Sequence, residues 1–216
     1  HELRTPLTAI GGYHQLLEKG GYAEPAIRER AFATLRKETR RMRSLVERLV
    51  GLARLERGDA ASRAEDVELD VAAVVRDAVA SVLDARPGQV NLRRADRLTV
   101  KGDEMALHIA VSNLVENALK YGRGSEVDVD VLKEGDEAVV RVADGGPGIP
   151  EPDRGRIFER FYRGDHGGTI EGSGLGLSIA KRAAERNGGR VVLERADPGD
   201  TAFSVRIPVA PAPAPL

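Results

Sequence analysis

Apolar residues recur along the first part of the chain at three- and four-residue intervals: Leu3, Leu7, Ile10 and Leu17, with His14 in one slot, then Ala31, Leu35, Met42, Leu45, Leu49 and Leu52. This is the spacing of a narrow helix seam. Gly20-Gly21 interrupts it and Glu24-Pro25 follows, a helix stop and then a Pro suited to a helix start. The reading is a helical hairpin. A lone hairpin cannot cover two such stripes, so a second copy is expected to complete a four-helix bundle, which makes the expected state a homodimer.

The periodicity stops at Gly58–Asp66 (GDAASRAED), a small, polar stretch that reads as a linker. The domains expected are therefore a hairpin over 1–57, a linker over 58–66, a second domain over 67–209 and a Pro/Ala tail (APAPAPL) over 210–216. In the second domain short strands alternate with helices. Helices are expected over Val71–Leu83, Asp103–Tyr121 and Leu175–Asn187, and strands over Leu98–Lys101, Val127–Lys133, Glu137–Ala143, Arg190–Glu194 and Thr201–Ile207. Two strands in direct succession among helices argue for a mixed sheet with helices layered on one face, and for an α+β chain as a whole.

Composition removes several function classes. Lys plus Arg number 33 against 34 Asp plus Glu, and a net charge of -1 gives no pull toward nucleic acid or an anionic membrane. No cysteine is present, which excludes disulfides and thiolate metal sites and fits a cytoplasmic location. No apolar run approaches the roughly 20 residues that span a bilayer, so no membrane contact is expected of this stretch. The chain starts without Met and inside a helical pattern, which reads as a piece of a longer protein, with any membrane anchor upstream.

Four constellations carry chemistry. The first is HELRTPLTAI, His1 to Ile10. At about 100° per residue, His1 lies roughly 160° to 180° round the helix from Leu3 and Ile10, so its ring faces away from the seam. Glu2 can take a proton from one ring nitrogen while the other attacks, Thr5 is one turn later on the same face, and Pro6 bends the helix just beyond. The second is NLVENALKY. With Asn113 as zero, Asn117 falls at about 40° and Lys120 at about -20°, whereas Leu107, Val111, Leu114, Val115 and Ala118 fall at about 100° to 200°. Two amides one turn apart can orient a hydrated Mg²⁺, and the ammonium can meet phosphate oxygens. A solvated amphipathic face fits this helix equally well.

The third, DGGPGIP at Asp144–Pro150, follows a strand. Its glycines let backbone approach a flat ligand, and the carboxylate can accept a hydrogen bond from the exocyclic amine of adenine, whereas guanine would present a carbonyl there. The fourth, GSGLGLSIA at Gly172–Ala180, runs from glycines into a helix, whose free N–H groups make an anion site. Between them, 150–174 is long, and 164–174 is poor in apolar residues, which suits a lid.

In their order, HELRTP, the Asn helix, the DxGxG turn, FERFYR (Phe158–Arg163) and GxGxG before a helix resemble the sensor histidine kinases of two-component systems. The resemblance covers nearly the whole chain. It implies a two-helix dimerisation and phosphotransfer domain followed by a Bergerat-type ATP-binding sandwich. It further implies His1 as phosphoacceptor, Asn113 and Asn117 at Mg²⁺, Lys120 and Arg163 near phosphates, Tyr121 against adenine and Asp144 at its amine. Gly146, Gly148, Gly172, Gly174, Leu175 and Gly176 would shape the pocket. Phe158 and Phe161 are expected to pack on the domain.

ATP and Mg²⁺ are the implied cofactors, and an Asp on a response regulator receiver domain is the implied phosphoryl acceptor, with Thr5 orienting water for the reverse reaction and the regulator docking near Tyr13–Leu17. Other Bergerat-fold ATPases and anti-sigma serine kinases share the Asn and Gly motifs but lack a seam helix bearing HELRTP. A non-catalytic nucleotide-binding dimerisation module, or a phosphatase-biased relative, is the alternative from another class.

Overall fold

In the computed structural model the residues described are 4–21, 24–36, 38–39, 42, 67–85, 88–164 and 173–209. The chain divides into two compact units, His1–Ala53 and Arg54–Leu216. The expected linker and tail lie outside the described residues, as do His1, Glu2, Gly172, Leu45, Leu49 and Leu52.

In the first unit, α1 runs over Arg4–Leu16. It ends through Leu17–Gly21, where Gly20 adopts φ 99, a conformation that costs other residues more. A second helix, α2, occupies 25–36 and starts at Pro25, whose missing N–H would have been unpaired there anyway. Pro6 and Ala31 are buried, whereas Leu7, Leu16 and Phe32 are exposed within the single chain. The His14 ring is exposed within the single chain, 3.6 Å from Glu18 one turn on.

The second unit is built from β1 (Val67–Asp70), α3 (Val71–Ala85), β2 (Val90–Ala95), β3 (Thr99–Gly102), α4 (Glu104–Tyr121), β4 (Val127–Glu134), β5 (Glu137–Asp144), α5 (Glu151–Arg154), α6 (Gly176–Arg186), β6 (Arg190–Asp197) and β7 (Asp200–Pro208). Five strands form a mixed sheet in the order β2-β4-β5-β7-β6, parallel between β2 and β4 and antiparallel elsewhere. β1 and β3 make a separate antiparallel pair. Helices α3, α4 and α6 pack on the sheet. The α+β expectation and its helix-backed mixed sheet hold.

Strand alternation explains the layering. Val127, Val129 and Val131 of β4, Val140 and Val142 of β5, and Phe203, Val205 and Ile207 of β7 are buried. They share the face that α4 covers with Ala106, Leu107, Ala110, Val111, Leu114, Val115 and Ala118. α4 starts where Asp103 caps it by accepting from the Ala106 N–H at 2.9 Å. Asn187, buried at the end of α6, ties the two helices: its Oδ1 accepts from the Asp103 N–H at 2.6 Å and its Nδ2 donates to the Asp103 carbonyl at 3.3 Å.

Two strands escape the sequence reading. β1 is four residues long with only Leu69 buried, and its last residue, Asp70, accepts from Ala72 N–H at 3.0 Å to begin α3. β2 is an edge strand with a register shift between Leu92 and Arg94 and charged residues at 93 and 94, so alternation is lost.

The opposite face of the sheet is closed by charge. Arg141 and Arg206 both bond Glu194 and Glu134, and the Ser204 hydroxyl donates to Glu194 at 2.7 Å. Val139, opposite Arg206, is fully buried beneath these side chains. Burial alone would raise the Glu194 carboxyl, but hydrogen bonds from Arg141, Arg206 and Ser204 override it and hold the group at about 2. Because this lies below its ordinary 4.5, the ion pairs contribute stability that is fully present above pH 4.5 and lost as pH falls toward about 2. Glu194→Ala is expected to lower stability by about 2 kcal/mol at neutral pH and to flatten the acid limb of unfolding; denaturant titrations over a pH series check both.

Candidate functional site

The polar groups singled out by sequence converge on one end of the second unit, where α4 stops and β5 gives way to a glycine turn. α4 places its half-buried residues, Asn113, Asn117, Lys120 and Tyr121, away from the face that packs on the sheet. Asn113 donates through Nδ2 to the Ile109 carbonyl at 2.8 Å, which leaves its amide oxygen for another partner. A Cβ placed on Gly176, the first residue of α6, would lie 3.4 Å from that oxygen. The Lys120 ammonium lies 3.0 Å from the Tyr121 hydroxyl and 4.5 Å from its ring centroid, so the aromatic residue both hydrogen-bonds and shields the cation.

Asp144 ends β5 and is 7% exposed. Burial pushes its carboxyl up to about 6, against the lowering effect of one hydrogen bond from the Gly146 N–H at 2.8 Å. Its ordinary value is 3.8, so the ionised form costs the folded state on the order of 3 kcal/mol above pH 6, a cost absent below pH 3.8. Gly146 has no room for a side chain: a Cβ there would stand 2.5 Å from Asp144 Oδ1 and 2.9 Å from the Tyr121 carbonyl. The turn is held by backbone bonds from Gly199 N–H to Gly146 O and from Ile149 N–H to Ala196 O, each 2.8 Å. Gly148 takes φ 79, and its Cβ would collide with the Ala196 carbonyl.

Ahead of α6, Gly174 takes φ 67 and lies so close to the FERFYR segment that a Cβ would come within 2.7 Å of the Phe161 and Tyr162 backbones. The Phe161 N–H donates to the Gly174 carbonyl at 3.0 Å. Phe161 itself has φ 62, unusual for a bulky residue. Phe158 packs edge-on against Phe203 at 6.3 Å as expected, but Phe161 is 52% exposed and does not pack on the domain. The segment is also held by the Phe161 backbone and by the Tyr162 hydroxyl, which donates to Asp153 at 2.7 Å. Arg163 is exposed.

The start of α6 is prepared for an anion. Leu175 occupies the cap position, buried, with no side-chain cap bond. Ser173, just before it, is buried with its hydroxyl lacking a hydrogen-bond partner among the described residues. An orphaned hydroxyl, uncapped N–H groups and a buried carboxylate with a single donor are the deficits that a ligand with phosphate oxygens at one end and an N–H donor at the other would fill. The residues fit a nucleotide. No group of three or more His, Cys, Asp or Glu among the described residues could hold a metal alone, so a divalent ion here would share phosphate oxygens and amides.

The structure thus brings Tyr121, Asp144 and Gly146 together, sets Lys120 on Tyr121 and faces Asn113 toward Gly176. Asn117 lies half-buried one turn beyond Asn113. Of Thr5 only the backbone, within α1, is described. Two contributors escape the sequence reading: Ser125, whose Oγ accepts from the Gly145 N–H at 3.0 Å, and the Ser173 hydroxyl. A lone Ser beside Gly carries no periodic or motif signal that would mark Ser125.

Comparison with known proteins agrees with this geometry. The family "Histidine kinase-, DNA gyrase B-, and HSP90-like ATPase" matches residues 102–211, and the "His Kinase A (phospho-acceptor) domain" matches residues 1–58. The chain is 38% identical over 227 positions to the signal transduction histidine-protein kinase AfsQ2 of Streptomyces coelicolor, covering 99% of this chain and 41% of that protein. It is 36% identical to the histidine-protein kinase/phosphatase MprB of Mycolicibacterium vanbaalenii, covering 99% and 46%. The chain therefore spans less than half the length of these relatives. Among solved structures, full-length ShkA in complex with AMPPNP superposes with a TM-score of 0.66 at 28% identity, over 100% of this chain and 46% of that one. With both domain families matched along one chain, this protein belongs to the sensor histidine kinases of two-component systems.

Proposed function

We propose that the chain binds ATP with Mg²⁺ in the second unit, transfers the γ-phosphate to His1 and passes it to an Asp of a response regulator receiver domain. The observation that carries this reading is the pairing, in one chain, of a phospho-acceptor match over 1–58 with an ATPase match over 102–211, a stretch that holds one buried carboxylate and one uncapped helix start.

In this reading Asp144 accepts a hydrogen bond from the adenine amine, which replaces water its carboxylate has lost. Tyr121 lies against the base. Its hydroxyl keeps Lys120 at the pocket's rim until phosphates draw the ammonium away. The α6 N–H groups, Ser173 and the backbone at Gly172, Gly174 and Gly176 receive phosphate oxygens, with Arg163 adding charge. Asn113 and Asn117 would hold Mg²⁺, which when bound neutralises the phosphates.

Neutral His1 attacks the γ-phosphorus through one ring nitrogen, the bond to the ADP oxygen breaks, and Glu2 takes the proton from the other nitrogen. Transfer needs positioning more than covalent chemistry from the enzyme, so the segment between Pro150 and Gly174 serves as a lid and the 58–66 stretch as the hinge. Leu7, Leu16 and Phe32, exposed in the single chain, are covered by a second copy in a homodimer. No described helix is long and apolar enough to cross a membrane; we place this part of the protein in the cytoplasm, where ATP and the regulator are, with the anchor on the remaining part.

Incubation with γ-labelled ATP and Mg²⁺ of the chain extended upstream by several helical turns is expected to give acid-labile label that His1→Gln abolishes. ATP binding without label would leave a nucleotide-regulated dimer instead. Thr5→Ala is expected to retain autophosphorylation within about 3-fold while slowing regulator dephosphorylation about 10-fold or more, as loss of a water-orienting group does; timed decay of the phosphorylated regulator measures it, and equal loss of both reactions would count against that role. The kinase/phosphatase designation of the MprB relative supports looking for this second reaction.

A further inference from the structure

Ser125 stands in the short connection between α4 and β4, residues 122–126, outside every group the proposed chemistry uses. Its N–H donates to the Gly122 carbonyl at 2.9 Å, which folds the connection back on the end of α4. Its Oγ accepts from the Gly145 N–H at 3.0 Å. The side chain occupies a slot walled by two glycines. A Cβ on Gly122 would lie 2.8 Å from Ser125 Oγ and 3.4 Å from Asp144 Cβ, and one on Gly145 would lie 3.0 Å from Ser125 Cβ.

Gly145 follows Asp144 directly, so this bond fixes the turn at the residue next to the carboxylate. On its far side the turn is pinned by the Gly199 N–H on the Gly146 carbonyl and the Ile149 N–H on the Ala196 carbonyl, and Arg154 Nε donates to the Ile149 carbonyl at 3.0 Å. On the α4 side Ser125 supplies the side-chain tie. That geometry gives the hydroxyl a use beyond filling space. The carboxylate of Asp144 must hold one orientation relative to Tyr121 and Gly146 if it is to distinguish an exocyclic amine from a carbonyl, since a misaligned acceptor loses most of a hydrogen bond.

We infer that Ser125 is a positioning residue for base selection, holding the Asp144 turn against the end of α4 so that the pocket prefers a purine with an exocyclic amine. The inference rests on Asp144 being the base-recognising group. Ser125 itself touches no ligand, and its removal leaves Gly145 N–H to water, so the turn loosens without the fold opening.

The test compares dissociation constants for ADP and for inosine diphosphate, which carries a carbonyl where ADP has the amine, by competition against a fluorescent ADP analogue. The unaltered chain, Ser125→Ala and Ser125→Thr are measured alongside their thermal unfolding. The preference for ADP is expected to shrink about 3- to 10-fold in Ser125→Ala, the range one misplaced hydrogen bond commands, mainly through weaker ADP binding, and to return in Ser125→Thr. Should Ser125→Ala fail to fold, Ser125→Cys, of similar size and a poor acceptor, carries the same comparison. An unchanged preference, or equal weakening of both nucleotides, overturns the positioning role while leaving the nucleotide site in place. Absence of ADP binding by the unaltered chain overturns the nucleotide reading and this inference with it.

Discussion

The carboxylate of Asp144 is taken out of water at the end of a central strand and given one protein hydrogen bond. A group in that position raises the free energy of the folded chain at neutral pH, and the surrounding structure has to hold it there. β5 does so from both sides, since Asp144 pairs with Val127 of β4 and with Thr201 of β7. The glycine turn then wraps the side chain so closely that Gly146 admits no Cβ. In the proposed function a ligand amine makes up the deficit at Asp144, and phosphate oxygens make up the one left by the Ser173 hydroxyl and the uncapped start of α6.

Rigidity of the sheet makes this possible. One face is hydrocarbon, covered by α3, α4 and α6, and the other is an Arg–Glu lattice centred on Glu194. Because both faces are closed, the strands can carry a tightly packed glycine turn at one end without reorganising. The Asn187 clamp between α6 and the start of α4 sets the two helices whose opposite ends, Gly176 and Tyr121, border the pocket. The FERFYR segment meets this frame through backbone at Gly174 and through Phe158 on Phe203, leaving the Phe161 ring in solvent.

α4 and the antiparallel strands are legible in the sequence because their burial is periodic: seven buried residues fall on one side of α4, and β4 alternates strictly over Val127, Val129 and Val131. β1 and β2 are not, since one is too short to show a period and the other lies at an edge where charge is tolerated. Asp144, Gly146 and Gly174 are legible through their motifs, and the structure supplies the steric reason each glycine is needed. Ser125 is invisible beforehand, because its use arises only when two connections distant in sequence fold side by side. The roles of His1 and Glu2 rest on their motif, as these residues lie outside those described.

The measurement closest to the central claim is the titration of Asp144 followed by carboxyl carbon NMR in chain labelled at aspartate, with Asp144→Asn to assign the resonance, alone and saturated with ADP. A midpoint near 6, raised by burial, is expected in the free chain, with a clear downward shift when the adenine amine donates to the carboxylate. A free-chain midpoint at the ordinary 3.8, or a midpoint that ADP leaves unmoved, would contradict the claim that this buried group is the one the nucleotide satisfies.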